Sequence, residues 1–92
     1  MIKIFRTIDG HIHQLNEASE GCWVVLANPT ATEILETANK YHIDQDDLRA
    51  PLDEEERSRI EVEDNYTLIL VDIPVIEERN EKDWFGTVPL GI

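Results

Sequence analysis

One segment constrains this chain more than any other. Tyr66-Thr67-Leu68-Ile69-Leu70-Val71-Asp72-Ile73 consists almost wholly of β-branched, aromatic and apolar residues. It opens after Asp64-Asn65, a turn pair, and meets Pro74, which cannot donate to a ladder. Such a run reads as the central strand of a sheet, ended or kinked at Pro74. The rest of the chain must therefore supply strands beside it and cover for it.

The partners are legible. Ile2, Ile4 and Ile8 alternate with polar residues, and Asp9-Gly10 separates them from His11-Ile12-His13-Gln14-Leu15. Asp and Gly tolerate positive φ, so strands at about 2–8 and 11–15 form a hairpin. Trp23-Val24-Val25-Leu26 is a continuous apolar run and is expected to be covered on both faces. Thr30-Ala31-Thr32-Glu33 after Asn28-Pro29 is a capping box, which starts a helix over about 31–41. Ile34, Leu35, Ala38 and Tyr41 mark its apolar face. Asp44 can cap a second short helix that Pro51 stops near Ala50, with Leu48 as its inward anchor. Arg59 to Glu63 alternates, setting Ile60 and Val62 on one face. Glu77 to Asp83 reads as a charged loop tip. Trp84 to Leu90 reads as a last strand, with Trp84 and Phe85 in the core. The order is β-β-β-α-α-β-β-β. It implies an α+β fold with a mixed, mainly antiparallel sheet of about six strands and two to three helices packed on it. Residues 1–92 are expected to form a single domain.

Charge and run length exclude several function classes. Twenty acidic residues stand against eight basic ones, a net charge of −12. That balance repels nucleic-acid phosphate and anionic lipid and favours cations or basic partners. No apolar run approaches the roughly 20 residues needed to span a bilayer. Cys22 is the single cysteine, so no disulfide forms within the chain, as suits a reducing compartment. Cys22 opens an apolar run and reads as a buried strand residue rather than a reactive thiol.

Two groups of side chains could carry chemistry. His11 and His13 lie two apart on a strand, about 6–7 Å apart on one face, where a transition metal could bridge them. No third ligand stands near them in sequence; two surface histidines beside a turn is the plainer reading. Residues 44 to 64 hold ten carboxylates against Arg49, Arg57 and Arg59, a net charge of −7. Hard cations take oxygen ligands, and Mg²⁺ keeps several waters while touching one or two carboxylates. The EF-hand spacing and its central glycine are absent. So are nucleophile elbows, phosphate loops, dinucleotide fingerprints and paired cysteines. The expectation is a protein that is not an enzyme.

From Trp23 to Ile92 the chain resembles the N-terminal cytosolic domain of CorA-type magnesium and cobalt transporters. The resemblance is carried in order by five pieces. They are Trp23-Val24-Val25-Leu26 with Asn28-Pro29-Thr30 and Glu33-Ile34; His42-Ile43-Asp44 to Leu48; Leu52-Asp53-Glu54-Glu55-Glu56-Arg57-Ser58-Arg59-Ile60-Glu61; Asp64-Asn65-Tyr66-Thr67-Leu68-Ile69-Leu70; and Thr87-Val88-Pro89-Leu90-Gly91-Ile92. Membership would imply a domain on the cytoplasmic side of the cell membrane, joined to the membrane only through helices outside these 92 residues. Those helices would carry the family's Gly-Met-Asn motif beyond a long stalk helix. The assembly would be a homopentamer, with Mg²⁺ as regulatory ion between subunits and Co²⁺ as a further transported ion. In some members an acidic residue two places after the position of Leu48 helps hold that ion. Ala50 stands there, beside Arg49. The nearby carboxylates Asp46, Asp47, Asp53 and Glu54 become the expected metal ligands. The other readings are a standalone acidic module for a basic protein partner, and a small metal-dependent enzyme using His11 and His13.

Overall fold

The computed structural model describes the backbone of residues 1–92 and every side chain except that of Arg79. Six strands and two α-helices form in the expected order: β1 (Ile2–Ile8), β2 (His11–Leu15), β3 (Trp23–Leu26), α1 (Ala31–Tyr41), α2 (Gln45–Arg49), β4 (Arg59–Val62), β5 (Thr67–Arg79) and β6 (Lys82–Gly91). A 3-10 turn, Ala50–Leu52, follows α2. The fold is α+β. The strands do not form one mixed sheet, however. They make two antiparallel three-stranded sheets, ordered β2-β1-β3 and β4-β5-β6. The chain divides into two compact units, Met1–Glu36 and Thr37–Ile92, and the division falls within α1.

In the first unit, Asp9 and Gly10 both take positive φ (51° and 79°), giving the tight turn that pairs Ile8 with His11. β3 pairs only with β1, so it is an edge strand. Its residues alternate, and Trp23 is 64% exposed, which corrects the expectation of cover on both faces. The run was apolar, but a strand with one neighbour and one packed face needs only every second side chain inside.

The capping box forms in full. The Glu33 N–H donates to Thr30 Oγ1 (3.1 Å), and the Thr30 N–H donates to Glu33 Oε1 (2.9 Å). The Met1 ammonium donates to the same carboxylate at 3.0 Å. Its bond to the Thr30 amide, then the Met1 ammonium, hold the Glu33 carboxyl below its ordinary range. A depressed folded pKa means that the contribution is complete above the unfolded value, about 4.3, and is lost as pH falls through the folded one. The stability gap between the chain and Glu33→Gln should therefore be widest near neutral pH and close under acid, as read by urea unfolding at descending pH. A gap independent of pH would remove the charge from the explanation.

At its other end α1 closes with His42 at φ 55° while the Ile43 N–H donates to Ala38 O (3.0 Å), a Schellman cap. Ile34, Thr37 and Ala38 are buried along the helix, whereas Leu35 is exposed. The inward face is thus i, i+3, i+4 with Tyr41 beyond, displaced from the expected Leu35.

In the second unit β5 is central, as its composition requires. It does not end at Pro74. The Ile69 and Ile92 backbones exchange both hydrogen bonds (2.8 Å each), which makes 69↔92 a hydrogen-bonded pair. Alternation along the ladder then makes Asp72↔Pro89 and Pro74↔Thr87 non-bonded pairs. Both prolines therefore turn their nitrogens away from the β5–β6 ladder and cost it no donor. The expected charged loop tip is instead the end of a long hairpin. Asn80 and Glu81 both take positive φ (52° and 62°), and Arg79 pairs with Lys82. No glycine announces this turn, so the sequence advertises it only in part.

The core of this unit is Leu68, Leu70 and Ala50, with Tyr66 packed beside it. Leu70 is only 2% exposed. By the register, Arg59, Glu61, Leu68, Leu70, Pro89 and Gly91 share this face, and the 3-10 turn lies over it at Gly91. Ile60 and Val62 therefore point the other way and are exposed. Trp84 and Phe85 are also exposed rather than core: Phe85 shares the Leu70 face but lies beyond the helical cover, and Trp84 points to the opposite face.

Candidate functional site

The turn between β4 and β5 and the start of α2 bring three carboxylates together. Oxygens of Asp47, Glu61 and Glu63 all lie within 4.8 Å of one another. Glu61 belongs to β4, and Glu63 follows it at strand spacing, so both project from one face. Asp47 comes from the first turn of α2. That helix starts because the Asp44 carboxylate accepts the Asp46 N–H at 2.9 Å. Two further contacts fix the arrangement. The Tyr66 hydroxyl donates to Asp47 Oδ2 and accepts the Asp44 N–H at 3.3 Å. Arg59 donates from Nε to Glu61 Oε1 (2.6 Å) and from Nη1 to Glu56 Oε2.

The electrostatics follow from these contacts. The bond to Asp47 pushes the Tyr66 phenol above its usual range, because losing its proton would set a phenolate against a carboxylate. The bonds to Glu56 and Glu61 raise Arg59 further. Asp47 and Glu61 are half-buried, and Glu63 is exposed. At such separations two like charges repel by about 3–4 kcal/mol at an effective dielectric constant of 20 and by less than about 1 kcal/mol in bulk water. Arg59 offsets part of this. A hard cation would offset more.

The donor set fits such an ion loosely. Mg²⁺ holds its ligands at about 2.0–2.1 Å, so opposite oxygens stand about 4.2 Å apart. A spread of up to 4.8 Å accommodates the ion after small side-chain shifts or through a bridging water.

Of the four expected ligands, Asp47 alone belongs to this convergence. Asp46 is exposed, and its N–H is taken by Asp44. Asp53 Oδ1 accepts the Glu55 N–H at 3.0 Å, closing a turn, and Glu54 is exposed. His11 and His13 are both exposed on one face of β2, opposite Ile8 and Arg6. Among the described residues, Asp47, Glu61 and Glu63 are the one group of three with metal-binding geometry. The alternation of β4 sets Ile60 and Val62 on one face and Glu61 and Glu63 on the other without saying which face meets α2, so these two carboxylates do not stand out in the sequence. Glu61 and Glu63 standing two apart was the available signal.

A shallow recess of about 370 Å³ lies on the other sheet, lined by Phe5, Arg6, Thr7, Ile12, Trp23 and Val25. It has aromatic walls but no paired acid and base. Among the described residues, no helix is long and apolar enough to cross a membrane. No family model matches the chain, and neither a curated protein nor a solved structure matches it.

Proposed function

We propose that the chain is a regulatory domain of a CorA-like divalent-cation transporter, responding to Mg²⁺ and performing no chemistry of its own. One observation carries the proposal: Asp47, Glu61 and Glu63 present carboxylate oxygens within 4.8 Å of one another, where a hard cation relieves their repulsion. The transporter assignment adds the sequence resemblance over Trp23–Ile92. In that setting the ion would favour whichever arrangement of subunits brings more carboxylate to it, and its loss would release that arrangement. Asp46, Asp53 and Glu54 would contribute to the field around the ion rather than to its coordination. The net charge of −12 also suits a module that docks a basic protein, and metal dependence separates the two readings.

The test is a titration with Mg²⁺ followed by amide shifts. Shifts should concentrate at residues 44–48 and 61–66 and saturate on the order of millimolar, as weak oxygen sites do. Glu63→Gln should weaken the response about tenfold, while His11→Ala leaves it unchanged. Shifts spread evenly over the acidic surface, or equal in Glu63→Gln, would dispose of the site.

A further inference from the structure

We draw no further inference here: the strongest candidate, the apolar recess on the β2-β1-β3 sheet walled by Phe5, Ile12, Trp23 and Val25, carries nothing, because nothing in the structure shows what covers it.

Discussion

Leu70→Ala should cost about 2–5 kcal/mol, the largest loss of any single truncation in the second unit. Leu70 is central on the central strand and 2% exposed, and it packs with Leu68 and Ala50. Removing its isobutyl group forfeits the transfer free energy and leaves a cavity. Neighbouring strands on both sides and the turn at Ala50–Leu52 keep that cavity from collapsing. Small domains hold only about 5–10 kcal/mol in total, so the loss should take roughly a fifth or more of the stability. Ile76→Ala is the comparator: it lies on the same strand and the same face but is exposed, and should cost less than about 0.5 kcal/mol. Urea midpoints read both. If the two substitutions cost the same, the core is not where Leu70 lies.

Gly91→Ala should cost about 1–3 kcal/mol through overpacking rather than through backbone conformation. A Cβ at Gly91 would stand 2.2 Å from Pro51 Cγ, 3.3 Å from its Cβ and 3.4 Å from its Cδ. The proline ring cannot swing aside as a lysine tail can, so the 3-10 turn would have to lift from the sheet and loosen Ala50 over Leu70. Gly86 sits five residues earlier on the same strand, and its added Cβ would meet only Val75 Cγ2 at 4.0 Å. Gly86→Ala should therefore be neutral or stabilising by up to about 1 kcal/mol, because it removes unfolded-state freedom at no steric cost. Opposite signs at the two glycines are the expected outcome of thermal or urea unfolding. Pro51→Ala in the Gly91→Ala background should restore part of the loss. Equal effects at both glycines would remove the close approach as the cause.

Local rules made much of the fold legible. Asp9-Gly10, the Thr30–Glu33 box and the Asp44 cap each act over three or four residues, and each forms as the sequence implies. The hairpin end at Asn80-Glu81 was only half legible: Asn tolerates the positive φ of a tight turn, but Glu81 stands where a glycine is usual. The passage of β5 through Pro74 was not legible. Whether a proline interrupts a ladder depends on which side of the strand its nitrogen faces, and that is a matter of register with β6.

The candidate site was half legible for a related reason. Asp47 stood out within an acidic stretch, but Glu61 and Glu63 joined it only once β4 had chosen a face. Strand periodicity fixes that Ile60 and Val62 share one face and Arg59, Glu61 and Glu63 the other. It does not say which face meets the helix. On β5 the choice is equally open, because Leu68 and Leu70 are no more apolar than Ile69 and Val71. The sequence thus determined the elements, their caps and the pairing of side chains into faces, since these depend on neighbours a few residues apart. Tertiary packing alone decided which face closed. Gly91 lets Pro51 approach on the Leu70 side, and the Tyr66 hydroxyl ties Asp44 and Asp47 to the same side, so α2 brings Asp47 to Glu61 and Glu63.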